Sequence, residues 1–346
     1  MDTAARRAPL AARRRPAALV GGLGAAGALL AAVAFLGLAL GARSIPLDVV
    51  IDALLDPRAG DNDHLVVREL RVPRTVIGVA VGAALGLCGA VLQGTTRNPI
   101  ADPGLLGLTA GASLAVVGAI TWLGVASPAG VVWFAFAGTA VAALVVYGIG
   151  AIGRSGDEPM RLALIGAAVT AAATSLTTVI LLTDLETLER YRFWVVGSLS
   201  GRDLGTLVTL SPFLIAGALI SIGIGRSLDA IALGDDLARG LGQRLDRARW
   251  SSAAAVILLC GTATAIAGPI AFVGLAAPHL ARRVTGPDHR WILAYSALLG
   301  AIMLVGADVA GRLVAEPGEV EAGLVVAMLG GPVMIAVVRG ARPVRR

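Results

Sequence analysis

The chain has 346 residues, 56% of them hydrophobic and 15% charged, with a mean hydropathy of +0.81 and a formal net charge of +6. A water-soluble domain carries roughly a quarter charged residues, so these few charges cannot cover the apolar surface, and a soluble globule is excluded. The 45 glycines, abundant alanine and 4% aromatics suit helices packed closely in lipid, where small residues let backbones approach.

Matching apolar runs to the ~20 residues that cross ~30 Å of hydrocarbon predicts about ten spans. They fall at 16–40, 75–93, 104–124, 130–153, 160–183, 205–225, 251–267, 270–281, 291–310 and 322–338. The first run is longer than a signal-peptide core and lacks a small-x-small cleavage site, so it reads as a retained span. The predicted organisation is a basic tail at 1–15, a transmembrane domain at 16–338 with a polar loop at about 226–250, and a tail at 339–346.

Arginine placement sets the expected orientation. Arg6, Arg7, Arg13, Arg14 and Arg15 precede the first span, and Arg339, Arg342, Arg345 and Arg346 follow the last. Both ends are then expected in the cytoplasm, with the arginine-dense loops at 226–249 and 282–290 on the same side. One long helix over 251–281 would put Arg282 and Arg283 outside, so two crossings are expected, with the chain turning at Gly268-Pro269. Each leg is then short, and short Gly/Pro-interrupted segments are tolerated where protein or a water-filled cavity surrounds them. That makes the hairpin either a pathway element or ordinary helix packing.

Segments 43–74, 184–203 and 312–321 are expected outside. Arg68, Glu69, Arg71 and Arg74 crowd the entry to the second span, as interfacial anchors or as a docking site for an acidic partner. The second helix ends at Gln93-Gly94-Thr95-Thr96-Arg97-Asn98-Pro99, where Asn-Pro forces a turn. Gln93 and Arg97 stand one helical turn apart and can share a face. On the fifth span Thr170, Thr174, Thr177 and Thr178 form one helical stripe. Its hydroxyls either wall a weakly polar pathway or bond back to the preceding turn. In the polar loop, Asp235 and Asp236 can cap a short helix on which Leu237 and Leu241 share an apolar face. Such a helix suggests a protein partner or a solvated loop. Asp308 and Arg312 lie at helical spacing near an outer end and read as an interfacial ion pair.

Cys88 and Cys260 lie inside apolar runs, without disulfide or metal-ligand spacing, and read as small core side chains. Every basic residue is arginine, whereas a phosphate-binding P-loop needs lysine. ATP-driven work would fall to a partner. His64, His279 and His289 are scattered without zinc spacing or a nucleophile, which disfavours an intramembrane enzyme. An ion-coupled secondary transporter would keep ionisable groups near the midplane, and the span middles hold almost none.

Four stretches, in order, carry a more specific signal: R-x-P-R at 71–74, Q-G-x-x-x-N-P-x-A-x-P at 93–103, L-G-x-x-x-A-R-x-L-G at 233–242, and F-V-G-L-x-x-P-H-x-x-R at 272–282. Together they resemble the permease subunits of iron–siderophore and cobalamin ABC importers, the FecCD type. The resemblance implies an all-α polytopic fold of the type II importer kind and transport without catalysis or cofactor by this chain. It implies a second permease subunit, two cytoplasmic ATPases, and an extracytoplasmic binding protein that delivers a ferric–siderophore chelate, with cobalamin or haem as alternative cargo. It further implies ATPase coupling through Leu233, Gly234, Asp235, Ala238, Arg239, Leu241 and Gly242. Binding-protein docking would use Arg71, Arg74 and Arg312, and a cytoplasmic gate would sit near Pro159 and Met160. The chain departs from the family pattern at that gate, where small hydroxyl residues are expected. It departs again at Val320 and Glu321, which occupy the Leu and Pro places of an E-L-P-x-G segment.

Overall fold

A computed structural model describes residues 16–41, 44–58, 60–125, 127–151, 158–315 and 318–340. The side chains of 128, 151, 158–160, 193 and 333–340 lie outside the description, as do the two predicted tails. Among the described residues every regular element is helical.

The first helix, α1 (Pro16–Ala39), crosses to an end capped by α2 (Leu47–Leu55) and α3 (Asn62–Leu65). From α3 the chain passes through a π-helical stretch (Val66–Arg71) directly into α4 (Val72–Thr96). The Asp61 carboxylate starts this cap by accepting the N–H groups of Asp63 and His64. Helices α5 (Leu108–Leu123) and α6 (Pro128–Ala151) form an antiparallel pair. Then come α7 (Glu158–Thr183), the short α8 (Leu185–Val195), α9 (Leu204–Gly223), and two short helices, α10 (Gly225–Ala232) and α11 (Asp235–Gly240). Helices α12 (Leu245–Ala267), α13 (Val273–Thr285), α14 (His289–Val314) and α15 (Ala322–Gly340) complete the fold.

Burial sorts these helices into centre and periphery. In the most apolar stretch of the continuous helix through α4, 78% of residues are buried, against 6% for α1 and 17% for α7. A helix apolar all round belongs in the middle of the bundle, and α4 packs on α12, α13 and α14. Close backbone approach makes this possible. A Cβ on Gly89 would overlap the Gly274 carbonyl of α13, so only glycine fits that crossing. On the periphery, α1 is tied to α14 by the Tyr295 hydroxyl, which donates to the Leu19 carbonyl at 2.8 Å.

The predicted spans map onto α1, α4, α5, α6, α7, α9, α12, α13, α14 and α15. Among the described residues seven helices are long and apolar enough to cross a bilayer, while α5 and the Ala322–Pro332 part of α15 are shorter apolar helices. The turn at Gly268-Pro269 is present. Gly268 adopts φ 77°, and a Cβ there would strike the Trp194 carbonyl. One expectation needs correction: only the second leg is short. Helix α12 starts at Leu245 and has 23 residues, because its first turns extend beyond the apolar run, whereas α13 has 13. At 1.5 Å per residue α13 covers only about 20 Å.

Candidate functional site

The residues singled out by sequence gather in three places. At the end where α4 begins, Arg74 binds Asp308 of α14, its Nε lying 2.9 and 3.0 Å from the two carboxylate oxygens. Arg74 Nη1 reaches Glu319 at 2.6 Å. Arg312 shares the same aspartate at 3.1 Å, which is the pair expected from the i, i+4 spacing. Arg312 also donates to the carbonyls of Gly37 and Leu40 at the end of α1, and Arg71 to those of Leu38 and Ala39. These bonds supply partners to α1 carbonyls that the helix end leaves open. The cluster therefore joins α1, α4, α14 and the segment before α15. Its three guanidiniums, at 6%, 8% and 3% exposure, are buried inside the chain's own network instead of being presented on its surface. Exposed charged side chains at this end include Asp48, Asp52, Asp56 and Arg58 of the cap as well as Arg68 and Glu69, with Glu319 the most open member of the network.

At the far end of α4 the backbone turns out through Arg97, which adopts φ 50°, and into the Asn-Pro turn. Gln93 and Arg97 part company here. The buried Gln93 donates its amide to the carbonyls of Ala101, Gly274 and Leu275 and accepts from Arg282 Nη1 at 2.6 Å. It thus stitches α4 to the start and the end of the short α13. Beside it, the buried Asp102 carboxylate accepts the Gly104 N–H at 2.8 Å, and burial pushes its pKa up to about 6. His289 at the start of α14 grips Asp229 of α10 with its backbone N–H and its Nδ1, each 2.8 Å from the same oxygen.

The polar-loop residues form a compact unit at this same end. Asp235, opening α11, receives Arg97 at 3.2 Å and Arg249 at 2.9 Å, so one carboxylate joins α11 to the ends of α4 and α12. Ala238 is fully buried beneath the helix, while Leu233, Leu237 and Leu241 are 58%, 63% and 64% exposed. Leu237 and Leu241 stand one helical turn apart on α11, while Leu233 closes α10 across the break at Gly234, whose φ is 102°. Gly234 and Gly242 bracket α11, and Arg239 pairs with Asp236 on its open surface.

The threonine stripe lies on the thinly covered α7. Thr170, Thr177 and Thr178 donate to the carbonyls of Gly166, Ala173 and Thr174, at 2.8, 2.8 and 2.9 Å. Back-bonding is thus present in three of the four; Thr174 and Thr178 face outward and Thr177 is buried. Pro159 and Met160 fall in the first turn of α7, and their side chains lie outside the described residues. Cys88 and Cys260 are free and buried, as expected. Among the described residues no cluster of His, Cys, Asp or Glu could hold a metal ion.

Sequence reasoning did not find the helical cap at 47–71 or α8. The signal for both was an aspartate N-cap. Asp61 serves α3, and Asp184 accepts the N–H groups of Glu186 and Thr187 at the start of α8.

These features define a class: a protein whose described elements are all helical, with several helices long and apolar enough to cross a membrane. The FecCD transport family profile matches residues 29–340, and the chain belongs to that family. It is 44% identical over 305 residues to the ferric enterobactin transport system permease protein FepD of Escherichia coli (strain K12), covering 88% of this chain and 90% of that one. It is 40% identical over 309 residues to the Fe(3+)-citrate import system permease protein YfmD of Bacillus subtilis (strain 168), covering 89% and 91%. A solved chain described as a metal-chelate type ABC transporter in an inward-facing conformation superposes with a TM-score of 0.80 at 24% identity, over 93% of this chain and 99% of that one. The last likeness shows the fold, that of a type II ABC importer permease.

Proposed function

We propose that the chain pairs with a second permease to form the pathway of an ATP-driven importer for a ferric–siderophore chelate. The observation that carries this reading is the leucine face of α11, fixed to the bundle through Asp235 and left open to a partner. Exposed Leu233, Leu237 and Leu241 offer an apolar contact for an ATPase subunit. Asp235 passes a push on that face to Arg97 at the end of α4 and Arg249 at the start of α12. The Asp229–His289 pair passes it to α14. Helices so linked rock as rigid bodies, which supports alternating access driven from this end. The cargo reading rests on relatives named for ferric enterobactin and ferric citrate.

On this reading the α10–α11 end faces the cytoplasm, in keeping with the arginine bias. The Arg74 end then faces outward and receives a binding protein. Arg71, Arg74 and Arg312 serve that docking from within, by holding the ends of α1, α4 and α14 in register beneath Arg68, Glu69 and Glu319. The open face of α7, with Thr174 and Thr178, would border the path shared with the second permease, and the start of α7 near Pro159 and Met160 would border its cytoplasmic gate. Reconstitution with cognate ATPase and binding protein tests the proposal. ATP-dependent uptake of radiolabelled ferric chelate is the expected result, and uptake that persists without the ATPase would reject it.

A further inference from the structure

Helix α2 (Leu47–Leu55) carries more apolar surface than the bundle covers. Its Val50 and Ala53 are fully buried in a cluster with Ala39 of α1 and Val67, and Phe35 and Leu38 of α1 pack against that cluster. Four large aliphatic side chains of the same helix stay uncovered: Leu47, Ile51, Leu54 and Leu55, at 52%, 44%, 44% and 81% exposure. A contiguous apolar patch of this kind marks a contact with a partner or a membrane.

At about 100° per residue the helix divides into sectors. Counted from Leu47, Ala53 and Val50 fall at about 240° and 300°, on the bundle side. Leu54, Leu47, Ile51 and Leu55 fill the arc from about 340° to about 80°. Asp48 and Asp52 follow at about 100° and 140°, both exposed, and the exposed Asp56 continues their row just past the helix. A helix packed on a bundle in water needs only an apolar side and a polar side. A third, open apolar sector between the two suits a helix lying along a bilayer boundary, with protein beside it, lipid under it and water over it.

The depth of α2 fits that position. Helix α1 has 24 residues, so it is about 36 Å long and outruns hydrocarbon of about 30 Å. Its last turn, level with α2, therefore reaches the headgroups. Only 6% of the most apolar stretch of α1 is buried, and Leu29 and Leu36, seven residues apart, are exposed. The lipid-facing surface of α1 thus runs up to α2.

We infer that α2 lies in the headgroup–acyl boundary of the bilayer at the end where α4 begins, with Leu47, Ile51, Leu54 and Leu55 in lipid and Asp48 and Asp52 in water. The acid row offers no attraction to anionic headgroups, so apolar area holds the helix there. Through Val50, Ala53 and Val67 the bilayer surface then braces the π-helical stretch that leads into α4. A protein docking from outside the bilayer would meet the acid row before the apolar arc. The placement holds whichever way the chain is oriented and whatever cargo it carries.

Spin labels on the full-length permease test the placement. Ile51→Cys, Leu54→Cys, Asp52→Cys and Asp56→Cys all change exposed positions, and the wild type, whose Cys88 and Cys260 are buried, gives the blank. In vesicles of phosphatidylethanolamine and phosphatidylglycerol, each nitroxide is challenged with oxygen, which concentrates in lipid, and with a nickel chelate, which stays in water. The oxygen-to-nickel accessibility ratio at positions 51 and 54 should exceed that at 52 and 56 by about threefold or more. Equal ratios overturn the inference. So does nickel access at 51 and 54 that disappears only when the binding protein is added, which would make the arc a protein dock. A phospholipid carrying a diazirine near its headgroup checks the wild type without substitution: it should mark residues 47–55, and marking of α1 without marking of 47–55 overturns the inference even if a variant does not fold.

Discussion

Arg74 and Asp308 stand 234 positions apart in the chain, yet the guanidinium holds both carboxylate oxygens at 2.9 and 3.0 Å within the fold. The same carboxylate serves Arg312, so one acid is shared by two buried bases, and Glu319 supplies the second negative charge at Arg74. Removing it leaves both guanidiniums short of a partner, and breaking a buried pair costs about 3–5 kcal/mol. Asp308→Ala should therefore lower the thermal unfolding temperature in detergent sharply. Arg74→Gln combined with Asp308→Asn should recover part of that loss, because the pair is then replaced by neutral groups that can hydrogen-bond. A double variant no better than Asp308→Ala would count against the shared-carboxylate account.

Gln93 makes a different demand on the same helix. Its amide serves three carbonyls and its oxygen receives Arg282, so Gln93→Leu strands four groups in a dry interior. Stranded groups cost roughly 1–3 kcal/mol each, partly relieved by relaxation. The variant should accumulate poorly and expose α13 to protease. Gln93→Glu keeps the Arg282 bond and should fall between the two. Wild-type protease resistance in Gln93→Leu would show that α13 is held by packing alone.

On the proposed coupling, variants of α11 separate folding from ATPase contact. Leu237 is exposed, so Leu237→Asp should leave the melting temperature of the isolated permease unchanged while abolishing co-purification of the ATPase subunit. Ala238 lies fully buried on the opposite face, and Ala238→Leu should instead destabilise the permease by overpacking, typically about 1–3 kcal/mol. Retention of the ATPase by Leu237→Asp would remove this face from the coupling surface.

Asp102 makes stability depend on pH. Burial raises its carboxyl to about 6 from an ordinary value near 3.8, so the folded state favours the protonated form. That favourable contribution is fully present below the ordinary value and is lost as pH rises through about 6. Asp102→Asn keeps the acceptor for Gly104 but cannot ionise. Its melting temperature relative to wild type should therefore rise between pH 4.5 and pH 7.5, by an amount on the order of 2–3 kcal/mol in stability. A constant difference across that range would mean that the carboxyl titrates normally.

Much of the bundle was legible because its signals are local. Apolar run length placed the helices, Gly268-Pro269 and Asn98-Pro99 placed two turns, and i, i+4 spacing paired Asp308 with Arg312. What stayed hidden depends on residues far apart in the chain. Nothing near Arg74 announces Asp308, and nothing near Gln93 announces the carbonyls of Gly274 and Leu275. Arg71, Arg74 and Arg312 look like surface charges when counted along the chain. Only when α1, α4 and α14 come together do they become internal fasteners. The start of α12 was obscured for another reason: its arginine-rich first turns, Arg247 and Arg249 among them, read as loop although they continue the helix. The threonine stripe shows the reverse. The geometry of a single helix was enough to foresee back-bonding as one of its two readings.

The π-helical stretch at Val66–Arg71 carries a consequence for how this protein tolerates change in length. A π turn holds about one residue more than an α turn. Deleting a single residue there would let the helix run as α throughout and swing everything before it by about 100° around the α4 axis. Val50 and Ala53 of α2, buried against Val67, would lose their seat, and Arg71 would turn away from the α1 carbonyls. The stretch works as an indexing tooth: it fixes the angle at which the helical cap meets the bundle, and a one-residue deletion there should be more damaging than several substitutions.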